Sequence, residues 1–147
     1  MKRFILPLLM LPSAALLAGG TASSGGQPEA KPALTALGVL QPGLWTIQSP
    51  NAPSENRSLC VTDAQVLLQL RHAAQSCKVF VITNSPREAT VHYSCANSGN
   101  GRTTLRVENA RLVQIESQGV VNRAPFLFTA EGRRVGACVG GVGNSGR

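Results

Sequence analysis

The chain has 147 residues, a formal net charge of +7 and only 4% aromatic residues. If a signal carrying Lys2 and Arg3 is removed, the 14 basic residues fall to 12 against 7 acidic ones, a net charge of +5. The arginines are scattered and no basic run is interleaved with aromatic residues, so the pattern does not indicate a nucleic-acid-binding protein. Residues 38–138 suffice for one domain and are too few for two.

The first 22 residues have the pattern of an export signal. Lys2 and Arg3 precede an almost wholly apolar run over 4–17, and small residues at 20–22 allow cleavage after Ala22. The run is too short for a comfortable membrane span of about 20 residues, and an uncleaved N-terminal anchor is the alternative. We therefore predict a signal peptide at 1–22, a periplasmic or secreted protein, and no transmembrane span after cleavage.

The composition changes twice in the remaining chain. Residues 23–37 are rich in Ser, Gly, Pro and Ala, which predicts a flexible leader. Residues 38–138 form the predicted single disulfide-bonded, β-rich domain, and residues 139–147 are a glycine-rich tail.

One short helix is predicted between Cys60 and Cys77. Thr62 and Gln65 have the spacing of a capping box, with a hydroxyl at the N-cap and Gln three residues later. The following apolar residues share one helical face and the polar ones share the other. The apolar face contains Val66, Leu67, Leu70 and Ala74, and the polar face contains Gln65, Gln69 and His72.

The chain after Cys77 has the pattern of strands. Val91, Tyr93 and Cys95 alternate with His92 and Ser94, which is the period of a half-buried strand. Similar alternation recurs over 105–108 and 113–116, and residues 78–83 are β-branched and aromatic.

The segments between these strands are turns. Asn100-Gly101 is the strongest hairpin dipeptide in the chain, and no long helical segment separates the strands. The expected fold is mainly β (α+β), an antiparallel meander of about six to eight short strands with one short helix. A lipocalin-like barrel is the alternative.

Four cysteines in a short exported chain predict two disulfides. They are Cys60, Cys77, Cys95 and Cys138. Sequence permits three connectivities, and we favour Cys60–Cys77 and Cys95–Cys138 because the first would bracket the helix and the second would tie two strands. A zinc site is disfavoured, since the closest pair is far wider than the C-x2-4-C spacing of such sites.

The order of several motifs resembles a known family. They are Pro42-Gly43-Leu44-Trp45, Cys60-Val61-Thr62, Cys77, Tyr93-Ser94-Cys95 and the closing segment from Arg133 to Cys138. The resemblance is to the bacterial exported proteins of domain-of-unknown-function family 3617, and it spans 42–138. It implies a small periplasmic β-rich domain and brings no established activity. The family pattern often has an acidic residue before the last cysteine, where this chain has Ala137.

No catalytic constellation is visible in the sequence. Paired carboxylates, a nucleophile elbow, a phosphate-binding loop and a dinucleotide fingerprint are absent, and paired cysteines leave no thiolate. His72 and His92 are both predicted to face solvent. We therefore expect no enzyme activity, no cofactor and no metal.

Five residues are candidates for a ligand or partner contact. Trp45, Phe126 and Phe128 could line a groove, although a lone Trp is more often a core residue. Arg133 and Arg134, adjacent in the chain, could contact an anionic group. The expected function is a non-enzymatic periplasmic binding or envelope accessory protein, whose partner is an anionic envelope component or another periplasmic protein. The alternative is a carrier of a small apolar ligand in a sheet or barrel cavity.

Overall fold

The computed structural model describes residues 32–73 and 75–139. The predicted signal peptide, residues 23–31 of the predicted leader, Ala74, and residues 140–147 of the predicted tail lie outside them. The described residues contain seven strands: β1 (Gly43–Gln48), β2 (Arg57–Val61), β3 (Cys77–Asn84), β4 (Glu88–Cys95), β5 (Gly99–Asn109), β6 (Leu112–Val121) and β7 (Ala124–Gly136). Three 3₁₀ helices accompany them: η1 (Thr35–Val39), η2 (Pro53–Glu55) and η3 (Ala64–His72).

The seven strands form one antiparallel sheet in the order β2-β1-β7-β6-β5-β4-β3. From β3 to β7 each strand pairs with the next one in the chain, so the predicted mainly β meander is confirmed. The sheet is open, because β2 and β3 form its two edges and do not pair with each other. The lipocalin-like barrel alternative is therefore wrong.

The core lies against one face of the sheet, here called the inner face. Inward-pointing residues recur at every second position, as in β4, where Ala89, Val91 and Tyr93 are fully buried. The connection from β2 to β3 crosses this face from one edge of the sheet to the other, and η3 lies within it. Leu67 and Leu68 of η3 are almost completely buried in the same core.

The predicted helix is present as η3, but it differs from the expected α-helix. Its N-cap is Asp63 rather than Thr62, and the Asp63 carboxylate accepts a hydrogen bond from the Gln65 N–H at 2.9 Å. Gln69 interrupts the helical backbone with φ −128° and ψ 34°. A three-residue period places Leu67 and Leu70 on the same face, which suits a 3₁₀ helix packed on a sheet.

His72 was predicted to face solvent, and that prediction is wrong. Its side chain is only 3% exposed, because the irregular turn at Gln69 rotates the end of η3 toward the sheet. His92, by contrast, lies on the opposite, outer face of the sheet beside Phe80, with 6.4 Å between ring centroids.

The two disulfides are present, but the favoured connectivity is wrong. The structure joins Cys60 to Cys138 and Cys77 to Cys95. Cys77 and Cys95 are direct cross-strand neighbours in β3 and β4. Cys60 and Cys77 cannot meet, because β2 and β3 lie at opposite edges of the sheet.

The β4–β5 hairpin turns earlier than Asn100-Gly101, the predicted turn dipeptide. Both of these residues pair within β5, and the turn is made by residues 96–98, with Asn97 at φ 63° and Gly99 at φ 119°. Gly101 is required for a different reason, since a Cβ at this position would overlap the ring and hydroxyl of Tyr93.

Packing begins within the segment that composition assigns to the leader. Leu34, Ala36, Leu37 and Leu40 are buried in the core, and η1 lies over β4 and β5. Asn84 at the end of β3 holds this segment through hydrogen bonds to the Thr35 N–H and the Ala33 carbonyl.

Candidate functional site

The edge strand β3 carries a run of exposed apolar side chains. Phe80, Val81 and Ile82 are 56%, 42% and 51% exposed, although they are consecutive residues of a strand. An unpaired edge with apolar side chains is a template for pairing with another chain, and proteins ordinarily protect such edges. Here the protection consists of Lys78 and of a bulge between Val81 and Thr83.

The opposite edge strand is protected much more fully. In β2, Arg57 and Ser58 are exposed polar residues, and Leu59 packs partly against the core. The Cys60–Cys138 disulfide ties this strand to the segment that follows β7. β3 is therefore the less protected of the two edge strands.

A groove runs between β3 and η3 on the inner face. Its volume is about 430 Å³, and its walls include Val66, Gln69 and Ala73 on the helical side and Cys77 and Val79 on the strand. Val66 is 39% exposed, so the groove is lined by an accessible aliphatic side chain. We call this groove, together with Val81 on the same face of β3, the edge groove.

The spacing of the cysteines in β3 and β4 shows which backbone groups face outward. Cys77 and Cys95 have a Cα–Cα distance of 4.2 Å, which is the short separation of a non-hydrogen-bonded antiparallel pair. Because the two kinds of pair alternate, Val79 and Val81 are also in non-hydrogen-bonded pairs with β4. Their N–H and C=O groups therefore point toward the open edge.

A buried polar cluster lies under the C-terminal end of η3. The His72 Nδ1 is 3.2 Å from the Tyr93 hydroxyl, and the His72 Nε2 is 3.3 Å from the Ser98 carbonyl oxygen. A carbonyl can only accept, so the His72 Nε2–H donates to Ser98, and Nδ1 is left to pair with the Tyr93 hydroxyl. Thr103 and Ser117 form a 2.7 Å hydroxyl pair deeper in the same cluster.

The environment of Tyr93 favours its neutral form. Burial raises the pKa of the Tyr93 hydroxyl, and hydrogen bonds with Ser117 and Thr103 act in the opposite direction. The ring of His72 also contacts the edge of the Tyr93 ring, with 5.3 Å between centroids. The cluster therefore consists of hydroxyl groups and an imidazole that serve as hydrogen-bond partners for one another in the core.

Charged residues pack around the end of η3, next to this cluster. Arg71 pairs with Glu55 of η2 and lies over the Phe126 ring, 5.3 Å from its centroid. Arg57 donates to the Leu70 carbonyl at 2.8 Å, and burial lowers the pKa of its guanidinium. These contacts hold the end of η3, and with it one wall of the edge groove, against β2 and β7.

The aromatic residues predicted as a ligand platform lie mostly in the core. Trp45 is 0% exposed and donates its Nε1–H to the Gln41 carbonyl at 3.0 Å. Phe128 is 2% exposed, whereas Phe126 is partly buried between Arg71 and His72. Phe126 is thus the member of this set that a ligand could reach from outside.

The two predicted contact arginines lie near the end of β7, four strands from β3. Arg133 pairs with Glu131 at 2.8 Å, and this hydrogen bond lowers the pKa of the Glu131 carboxyl. The Arg134 Nε donates to the Pro42 carbonyl at 2.8 Å. Contact of these arginines with an anionic component stays a prediction.

Sequence reasoning missed the buried cluster, although the strand pattern contained a signal for it. Thr103 is in phase with the inward-facing Leu105, and Ser117 is in phase with Ile115. A polar residue in an inward phase predicts a buried hydrogen bond. No comparable signal identifies β3 as an edge strand, because the residues of a strand do not determine which strands lie beside it in the sheet.

Within residues 32–73 and 75–139, no group of three or more His, Cys, Asp or Glu side chains is arranged to hold a metal ion. The same part of the chain has no helix with the length and hydropathy that a membrane crossing requires.

A family profile described as protein of unknown function (DUF3617) matches residues 40–138. The chain belongs to this family. The matched residues run from the end of η1 through all seven strands to Cys138, so the DUF3617 match includes the whole sheet and both disulfides. No curated protein and no solved structure matches the chain.

Proposed function

We propose that this DUF3617 protein is an exported, non-enzymatic binding protein that takes up an extended segment of another exported protein as an additional strand along β3. The observation that carries the proposal is the unpaired edge at residues 80–82, with three exposed apolar side chains beside the edge groove. Strand addition uses main-chain hydrogen bonds for affinity and side-chain pockets for specificity, and the edge groove offers both.

The energetics of such an addition are favourable. Full burial of an exposed side chain of this size is worth about 1.5–3 kcal/mol, so covering three half-exposed ones supplies a few kcal/mol. The outward N–H and C=O groups of Val79 and Val81 would gain partners from the incoming strand. The rigid sheet and the Cys77–Cys95 disulfide hold β3 in place before binding, which reduces the ordering cost.

Export is supported by the two disulfides and by the signal pattern at 1–22. Disulfides persist in oxidising compartments such as the periplasm and the extracellular medium. The absence of enzyme activity is supported by the pairing of all four cysteines and by the burial of the His72–Tyr93 cluster. The carrier alternative has less support, because Trp45 and Phe128 are packed in the core.

A neutral strand peptide tests strand addition directly. We would titrate the disulfide-bonded protein with the peptide acetyl-Thr-Val-Thr-Val-Thr-Val-Thr-amide and follow its backbone amides by NMR. The expected result is a set of shifts concentrated at β3 and η3, with slower hydrogen exchange at the Val79 and Val81 amides. Val81→Lys should weaken binding roughly tenfold, since it removes about 1.4 kcal/mol or more of apolar contact.

The matched control is Leu127→Lys, which changes another exposed apolar residue, 68% exposed, on the centrally paired strand β7. It should leave peptide binding unchanged. Val81→Pro provides a second variant, because it removes an outward N–H without removing a bond to β4. Equal losses in the Leu127 and Val81 variants, or no shifts at β3 at millimolar peptide, would contradict the proposed function.

A further inference from the structure

The alternation of hydrogen-bonded pairs across β3 determines how an added strand must face. Lys78 and Phe80 bond to β4, so they would form the close, non-hydrogen-bonded pairs with an incoming strand. Val79 and Val81 would form its hydrogen-bonded pairs. The side chains of the incoming residues therefore alternate between the edge groove, opposite Val79 and Val81, and the outer face, opposite Lys78 and Phe80.

The groove side of this register is uncharged and mixes aliphatic with polar side chains. Val79 is partly buried against the core, and Val66 and Ala73 line the helical wall. The other lining residues include three amides and a hydroxyl, from Gln65, Gln69, Gln75 and Ser76. No carboxylate or cation is among the residues that line the groove in the described part of the chain. Incoming residues opposite Val79 and Val81 have these two valines as their direct cross-strand neighbours, which favours aliphatic side chains at both positions.

On the outer face, one of the β3 residues that an added strand would meet is basic. Lys78 is exposed, and within residues 32–73 and 75–139 it forms no ion pair. Its cross-strand neighbour is Ser94, which carries no charge. Glu88, the acidic residue of β4, lies at the far end of that strand and is bound by Arg106 at 3.2 Å. An incoming residue opposite Lys78 therefore meets an uncompensated ammonium group.

On these grounds, and resting on the proposed function, we infer that the partner segment has the pattern aliphatic–X–aliphatic–acidic and pairs antiparallel with β3. Antiparallel pairing is the geometry of every strand pair in this sheet. Read from its N-terminus, the segment places its aliphatic residues opposite Val81 and Val79. The next residue is an Asp or Glu opposite Lys78, whose carboxylate accepts a hydrogen bond from the ammonium group.

Two peptides that differ at one residue test this inference. The glutamate peptide is acetyl-Gly-Ser-Val-Thr-Val-Glu-Ser-Gly-amide, and the lysine peptide has Lys in place of Glu. At low salt the glutamate peptide should bind the wild-type protein about two- to fivefold more tightly than the lysine peptide, the range of an exposed ion pair. Lys78→Glu should reverse that preference. Arg123→Glu, the same change of charge in the β6–β7 turn, should leave it unaltered.

The outcomes separate the inference from the proposed function. If both peptides shift the β3 amides equally, and Lys78→Glu changes neither affinity, strand addition is supported. The inferred acidic residue opposite Lys78 is then contradicted. If neither peptide shifts the β3 amides, the proposed function itself fails. If the β3 amides shift with protein concentration alone and resist peptide, the occupant is a second copy of the chain, and the acidic partner is excluded.

Discussion

Tyr93 connects the inner face of the sheet to η3. Its ring lies over Gly101, where any side chain would collide with it, and its hydroxyl reaches His72. His72 in turn contacts Ser98 in the β4–β5 turn and the ring of Phe126 in β7. One tyrosine and one glycine thus fix the end of the helix that forms a wall of the edge groove.

The Tyr93 environment predicts a loss of stability in alkali. Burial raises the pKa of Tyr93 above the ordinary value of about 10, so the unfolded chain releases this proton at lower pH than the folded one. The contribution of Tyr93 to the free energy of unfolding should therefore be fully present below about pH 10. It should be lost as the pH rises through the pKa of the folded state. Because the chain has one tyrosine, its phenolate absorbance reports this titration without ambiguity.

Tyr93→Phe is the control for that measurement. It should remove the Tyr93 part of the alkaline slope and cost about 1–3 kcal/mol at neutral pH, because the buried His72 Nδ1 loses its hydrogen-bond partner. A wild-type phenolate that titrates at its ordinary pH while the protein stays folded would contradict the assignment.

The β6–β7 turn contains a residue that is unfavourable at its position. Asn122 and Arg123 form a two-residue hairpin loop with φ 50° and φ 69°, the left-handed pair for which Asn-Gly is preferred. Arg123→Gly should raise the free energy of unfolding by about 0.5 kcal/mol, since relief of the left-handed cost exceeds the added freedom of the unfolded chain.

Arg111→Gly is the matched control, because it makes the same substitution in the β5–β6 turn, where the backbone is not left-handed. It should lower the free energy of unfolding. Urea unfolding of both variants measures the difference, and a stabilisation shared by the two would assign the effect to lost charge rather than to backbone conformation.

At the level of elements, the strands were predictable and their environments were not. Alternation placed β4 correctly, because a half-buried strand must present apolar residues at every second position. The same periodicity could not show that Asn100-Gly101 lies inside β5, since the glycine is required by the Tyr93 ring rather than by a turn. The prediction of which η3 residues point inward was wrong for a similar reason. The 3₁₀ geometry and the interruption at Gln69 change the residues that face the core.

The edge groove could not be predicted from sequence, because it depends on the order of strands in the sheet. The run from Lys78 to Ile82 would suit a central strand as well as an edge strand. Its exposure follows from the path of the β2–β3 connection, which carries η3 across the inner face and leaves β3 beyond it at the far edge. The function proposed above therefore depends on the order of the strands, which places β3 at an edge of the sheet.

At the level of the whole molecule, the disulfides close two very different loops. Cys77–Cys95 spans 18 residues within one hairpin, whereas Cys60–Cys138 spans 78 residues and encloses most of the sheet. The favoured sequence pairing assumed that one bridge brackets the helix and the other ties two strands, but strand order brings together the two cysteines on either side of β1. The long loop constrains residues 60–138, about half of the 147 residues of the unfolded chain.

The two bridges should therefore differ in their contribution to stability. In the chain-entropy account, closure of the longer loop contributes about 4.5 kcal/mol and closure of the shorter one about 3.2 kcal/mol. We expect the Cys60→Ala/Cys138→Ala double variant to lose about 1.3 kcal/mol more in the free energy of unfolding than Cys77→Ala/Cys95→Ala. Chemical denaturation of both proteins, each with its remaining bridge intact, measures this difference. A greater loss in the Cys77/Cys95 variant would show that the short bridge acts by holding β3 to β4, because loop entropy alone gives the opposite order.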